Sequence, residues 1–336
     1  MLSPALEVEH PTNTASLVVA LADYAAGFAI DNGAALRTAR HCLIEALGGG
    51  FEALREPACA ALIGPLVPGS MMPGGARVPG TSLELDPAQA AFCAGLMLCR
   101  SASRSQRLTL RGGGAAEAFG ALLVVADYRG RKAIMEGKSP PKVRDVLAAM
   151  IKAVEIEGVL AAEGATLRPA RIATTTVVTA QLGGALRQIV TALRYACTDG
   201  GMQIDADEQY GSGRRDSDWA TADAISRTVR YACQAMAAGS SDLTPPDRES
   251  VDLPDKLLCA KPWDPRKSFG TAIIGQLAAR GPQEVAELTM RFQAAVDRHF
   301  PARQAERIKT LFAAPERLDD LPVSELLAAL VTNGAR

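Results

Sequence analysis

Histidine is the side chain best suited to moving protons near neutral pH, and the chain holds three: His10, His41 and His299. His10 lies close to the start of the chain. His41 and His299 fall within or at the ends of helical segments, where a structural role is expected. Thiol or metal chemistry would rest on seven cysteines, Cys42, Cys59, Cys93, Cys99, Cys197, Cys233 and Cys259. They stand singly, with no CxxC spacing and an odd count, which excludes a disulfide framework and a zinc site. They read as reduced, mostly buried small hydrophobes of a cytosolic protein. Two further polar concentrations draw the eye. Residues 100–116, RSASRSQRLTLRGGGAA, are rich in Ser and Arg and end in three glycines. Thr198 to Asp218 carries Gly200, Gly201, Gly211 and Gly213. Both read as loops.

The elements that would position such residues are helices. Of 336 residues 48% are hydrophobic but only 4% aromatic, so Ala, Leu, Val and Ile must fill the core. Cores of that kind suit closely packed helices. Apolar spacing predicts helices over 14–31, from Asn32 or Gly33 to Leu47, from Pro87 to about Leu98, from Glu117, and over Val143–Ala161. It predicts others over Arg187–Cys197, Trp219–Ala238, Gln283–Phe300, Ala302–Phe312 and Val323–Leu330. Gly48, Gly49 and Gly50 either interrupt the second helix or let another helix approach it closely. Residues 57–87 are too rich in Pro and Gly for a long helix, leaving a short extended piece near Ala76–Val78. The β-branched run 171–182, RIATTTVVTAQL, fits a strand or a buried helix equally. Residues 239–270 hold five prolines and little periodicity, as a linker does.

Charge narrows the partners. Lys+Arg number 36 against Asp+Glu 37, a net charge of −1, so nothing draws the chain to nucleic acid. A local basic pocket for an acidic metabolite is compatible with that balance. No run is long enough to span a bilayer. The first residues lack the charged region and cleavage site of a secretion signal. The expectation is a cytoplasmic protein with no membrane contact.

Several segments carry a resemblance to a known family. The first runs from Thr38, TARHCLIEALGGGFEALREPACAALIGPLVPGS, followed by GARVPGTSLELDPAQAAF. The second is VRDVLAAMIKAVEIEGVLA at Val143–Ala161 and the third GSGRRDSDWATADAISRTVRYA at Gly211–Ala232. HFPARQAERI and LPVSELL complete the set near the C-terminus. Together they resemble the 2-methylcitrate dehydratase branch of the MmgE/PrpD family. The resemblance implies a mainly α fold. An all-helical domain would occupy residues 1–238 and a linker-like remnant of a smaller α/β lid residues 239–282. C-terminal helices over 283–336 would pack back on the helical domain. It also implies a homodimer, a tricarboxylate substrate, loss of water from that substrate, and no iron–sulfur cluster, metal or other cofactor.

The sequence departs from the family where chemistry is expected. Motifs resembling WLDFNDT and GHPSDN should follow the helix ending near Leu98. Their two Asp positions fall here on Ala102 and Ser105, and their His on Gly114. The family's AHEIQG is AVEIEG here, so Val154 replaces a histidine. A basic run resembling RTYRH is acidic, Met202 to Glu208, and Ser217 and Asp218 directly precede Trp219. Dehydration beside a carboxylate needs a base for a carbon-bound proton, an acid for the leaving hydroxide, and cations for the carboxylates. On the resemblance, Glu155 as base and Arg215 would be catalytic, while Arg214 and Asp223 would bind substrate. Against that stands a plainer reading. Glu155 is then a helix-surface charge, Arg214 and Arg215 are solvated loop residues, and Asp223 pairs within its helix. At the level of function the alternatives are a hydro-lyase of reduced activity and a catalytically inactive member serving as scaffold or dimerisation partner. A third is a changed reaction on a smaller or more hydrophobic acid.

Overall fold

Several helices begin at residues whose capping role is visible in the sequence. A computed structural model of the chain describes residues 13–104, 114–162, 169–199, 214–238 and 281–332. In order, these form α1 (Asn13–Gly27), α2 (Gly33–Leu54), α3 (Pro57–Ala60), β1 (Ala76–Arg77), β2 (Glu84–Leu85), α4 (Pro87–Arg104) and α5 (Gly114–Met135). There follow α6 (Val143–Ala162), α7 (Pro169–Gln181), α8 (Leu186–Thr198) and α9 (Arg214–Ala237). Last come α10 (Pro282–His299), α11 (Ala302–Phe312), α12 (Pro315–Asp320) and α13 (Val323–Ala329). Asn32 caps α2 by accepting from the amides of Ala34 and Ala35, at 3.0 and 3.1 Å. Asp86 caps α4 in the same way, accepting from Ala88 and Gln89.

The fold is mainly α, as expected. The only sheet among the described residues is the antiparallel pair β1–β2, Ala76 opposite Leu85 and Arg77 opposite Glu84. The Gly48–Gly50 run does not interrupt α2. A β-carbon on Gly48 would stand 3.3 Å from the backbone of Phe292 on α10, so the glycines admit a neighbouring helix. The Thr-rich run is the helix α7, with Ile172 to Thr179 buried. Thr176 and Thr179 donate their hydroxyls to the carbonyls of Ile172 and Thr175, which satisfies both groups away from water.

Three boundaries depart from the sequence reading. Residues 101–104 continue α4 and α5 starts at Gly114, so the polar stretch 100–116 is helical at both ends. Arg214 to Asp218 open α9 rather than closing a loop. A short helix, α12, begins at Pro315, between the helices read over Ala302–Phe312 and Val323–Leu330. Residues 1–12, 105–113, 163–168, 200–213, 239–280 and 333–336 lie outside the described residues, and with them His10, Cys259 and most of the segment expected to be a lid remnant.

The GARVPGT segment explains itself in the fold. A side chain on Gly75 would meet the carbonyl oxygen of Leu85 at 2.3 Å, and Gly80 has φ of +76°. Between them Arg77 donates from its amide, Nε and Nη2 to the fully buried Asp127 of α5, at 2.6 to 3.1 Å. Its guanidinium also donates to the carbonyl of Ser324 on α13. Gly80 donates its amide to the Leu330 carbonyl and Thr332 donates to Thr81. The tail thus closes on the first third of the chain. It does so again where Val143 donates to Leu321, Val323 donates to Pro141, and Arg40 pairs with Asp319 through two hydrogen bonds.

Candidate functional site

Small residues bring three helix ends together. A β-carbon on Gly120 of α5 would lie 2.9 Å from the Gly95 nitrogen of α4, and one on Gly95 would lie 2.8 Å from Ile225 of α9. Ser226 donates to the Ala88 carbonyl at 2.9 Å, and Trp219 meets Phe92 edge-on at 6.2 Å. Asp127, farther along α5, reaches Arg77 of β1, just before α4 begins. Both α5 and α9 therefore run antiparallel to α4. The C-terminal end of α4 and the N-terminal ends of α5 and α9 lie at one end of this group. Ala102, Gly114, Arg214 and Arg215, positions singled out in the sequence, fall there, all within helical backbone. Ser105 falls outside the described residues.

Glu155 lies elsewhere, and not on the surface. It is 1% exposed, on the face of α6 that meets α1, and Val154 beside it is also buried. Tyr24 of α1 donates its hydroxyl to Oε2 of Glu155, while Oε1 has no hydrogen-bond partner. One turn earlier Lys152 donates its ammonium to the Ala25 carbonyl at 2.8 Å and lies 6.0 Å from the Tyr24 ring centre. Two polar side chains of α6 thus hold α1 down. Burial pushes the Glu155 carboxyl up to about 7, against the opposing effect of the Tyr24 bond. Burial likewise lowers the Lys152 ammonium and raises the Tyr24 phenol. A carboxyl that titrates near neutrality can take or give a proton under ordinary conditions. Its partner here is a phenol that burial holds protonated.

Asp223 pairs with Arg227 four residues on, at 2.7 Å, as the plainer sequence reading has it. Arg227 also donates to both oxygens of Asp199 at 3.0 and 3.1 Å, where Arg171 and Tyr231 converge as well. This network ties the end of α8 to α7 and α9, and against the effect of burial the hydrogen bonds from Tyr231 and Arg227, with the charges of Arg227 and Arg171, hold the Asp199 carboxyl below its ordinary range. Asp223 and Glu155 are held by different partners on different helices, so the structure does not join the sequence candidates into one cluster.

His299 is structural as expected: Nε2 lies 2.7 Å from the Gly80 carbonyl and the ring stacks on Phe51. The described cysteines are buried or half-buried. Among the described residues no His, Cys, Asp or Glu group could hold a metal ion, and no helix is long and apolar enough to cross a membrane. Tyr24 and Lys152 escaped the sequence reading. Lys152 stands three residues before Glu155, a spacing that shares a helix face. Tyr24 is 131 residues away and gave no such signal. Two surface grooves stand out among the described residues. One of about 560 Å³ lies over Gly80, Leu83 and His299; the other, of about 580 Å³, lies between α11 and α12. Glu155 and Asp223 line neither.

Comparison with known proteins places these features in a family. The MmgE/PrpD N-terminal domain matches residues 19–248. A 2-methylcitrate dehydratase of Salmonella typhimurium is 40% identical over 225 residues, 65% of this chain and 46% of that one. One from Cupriavidus necator is 36% identical over 265 residues, 77% of this chain and 54% of the other. The mitochondrial 2-methylcitrate dehydratase of Yarrowia lipolytica is 38% identical over 229 residues, 66% and 44% of the two chains. The chain spans about half the length of the curated relatives it matches.

Proposed function

The chain belongs to the MmgE/PrpD family, and from that premise we propose that it is a 2-methylcitrate dehydratase-like hydro-lyase of propionate catabolism. Its substrate is a tricarboxylate and its activity is reduced. The observation that carries the reading is 36–40% identity to proteins named 2-methylcitrate dehydratase across most of the helical body. In the reaction a base removes the proton on the carbon beside a carboxylate. The freed electron pair forms the double bond, and the hydroxyl leaves as water after an acid protonates it. Glu155, with its carboxyl near neutrality, is the candidate base. Arg214 and Arg215 open α9 at the shared helix ends and are the candidate carboxylate holders, beside Asp223. The family resemblance supplies the further proposals of a homodimer and a cytoplasmic location.

A second reading has its own support. Val154 is buried and apolar where the family pattern has a histidine, and the Glu155 carboxyl is held by Tyr24. On that reading the chain is an inactive member serving as a scaffold or dimerisation partner. Purified chain incubated with 2-methylcitrate or citrate, with enoate absorbance followed, separates the two. Turnover above the blank that falls ~100-fold or more in Glu155→Gln, the loss expected for an acid–base group, supports the first reading. Turnover unchanged in Glu155→Gln and Arg215→Ala removes the site assignment. No turnover by folded protein favours the second reading.

A further inference from the structure

The groove between α11 and α12 holds charge with no counterpart among the described residues. It is lined by Arg303, Arg307 and Thr310 of α11, by Arg317 of α12, and by an apolar floor of Leu311, Ala314 and Leu321, with Glu306 at its edge. Arg303, Arg307, Thr310, Leu311 and Ala314 follow the spacing of one helix face, so the two arginines project side by side. All three arginines are exposed, and none makes an ion pair or hydrogen bond with any described residue. The one acidic residue in the lining is already engaged: Glu306 pairs with Lys309 at 3.2 Å. Helix stability does not account for the pattern. Arg303 sits in the first turn of α11, where the helix dipole disfavours a cation, and Arg303 and Arg307 repel one another at i, i+4. In a chain of net charge −1, three unpaired guanidiniums around one cavity are a local arrangement and not a general excess.

We propose that this groove is a binding site for a small polyanion bearing carboxylate or phosphate groups. Planar guanidiniums recognise such oxyanions through paired N–H donors. The Thr310 hydroxyl adds a donor, and the floor accepts an apolar carbon frame. The volume of about 580 Å³ is that of a metabolite site. The site is separate from Glu155. Val143, the first residue of α6, donates to the Leu321 carbonyl at the groove, and Glu155 lies twelve residues on, roughly 18 Å along the helix at 1.5 Å per residue. The proposal does not depend on the dehydratase reading.

Citrate and inorganic phosphate, titrated separately at constant ionic strength against the full chain, test it by calorimetry and by thermal shift. The expected result is saturable binding of at least one anion that raises the melting temperature. Arg307→Gln and Arg317→Gln each weaken it roughly tenfold, the loss expected when a charged hydrogen-bond donor is removed. Arg230→Gln, at an exposed arginine of α9 outside the groove, leaves it unchanged. Citrate preferred over phosphate identifies a polycarboxylate; the reverse identifies a phosphorylated ligand; both support the site. Binding unaffected by the groove variants overturns it, as does binding lost equally with Arg230→Gln. So does an Asp/Glu-rich peptide binding where neither small anion does. The replaced arginines are exposed, so unchanged far-UV circular dichroism is expected of each variant.

Discussion

A carboxyl enclosed in an apolar seam is easier to bury protonated than charged. The folded chain holds the Glu155 proton up to about 7, against an ordinary value of 4.5. Between those limits the native state keeps a proton that the unfolded chain has released. Its stabilising effect is therefore whole below about pH 4.5 and declines as pH rises through about 7. Glu155→Gln should flatten this part of the profile of melting temperature against pH and exceed the parent in stability on the alkaline side. A variant whose profile runs parallel to the parent's would exclude Glu155 as the titrating group. Tyr24→Phe removes the one donor that the buried carboxyl has. It should cost about 1–3 kcal/mol in urea unfolding and carry the decline to higher pH. The surface-charge reading passed over one sign of this: Leu147, Ile151 and Glu155 fall on one helical stripe, so the acid interrupts an apolar face. The phenol that meets it is distant in sequence, and spacing within α6 carries no information about α1.

At the scale of elements, contacts through glycine decide how closely helices lie. Gly120→Ala sets a methyl 2.9 Å from backbone on α4, which can yield only if a whole helix moves. Gly95→Ala sets one 2.8 Å from the tip of Ile225, which can turn aside. Overpacking of this sort costs about 1–3 kcal/mol. The Gly120 variant should lie at or above the top of that range and the Gly95 variant near its foot, both by chemical denaturation. Equal losses would show that the helices adjust freely. The helices themselves were legible from their caps and apolar periods: Asn32 and Asp86 begin α2 and α4 where expected, and Pro301 and Pro322 mark joints. What spacing left open was settled by tertiary surroundings. The threonines of α7 form helix because burial rewards hydroxyls that return to their own carbonyls, and Gly48 stays helical because Phe292 occupies the space beside it. Arg214 and Arg215 read as loop because polar neighbours gave no apolar period, yet they begin α9.

Over the whole molecule, composition was enough to announce a mainly helical protein, and motif resemblance named its family. Neither revealed how the tail closes the body, since hydrogen bonds between Gly80 and Leu330 or Arg77 and Ser324 join residues with no local relation. The tail buries Phe292, Val296, Phe300, Ile308, Leu318, Leu326 and Leu327. A chain ending at residue 280 should lose its cooperative unfolding transition and run as aggregates in gel filtration; a monodisperse, cooperatively melting fragment would show that the body stands alone. Asp127→Ala tests the same closure from inside. It strands the Arg77 guanidinium beneath α13 and should cost about 3–5 kcal/mol in urea unfolding. The closure also has a consequence for biosynthesis. A nascent chain that has left the ribosome only as far as α9 displays the Phe51 ring and the Gly80 amide with their partners still untranslated. Completion of the helical body then waits until α10 to α13 have left the ribosome, and a ribosome stalled before α10 would hold out an unshielded apolar face to every neighbouring polypeptide.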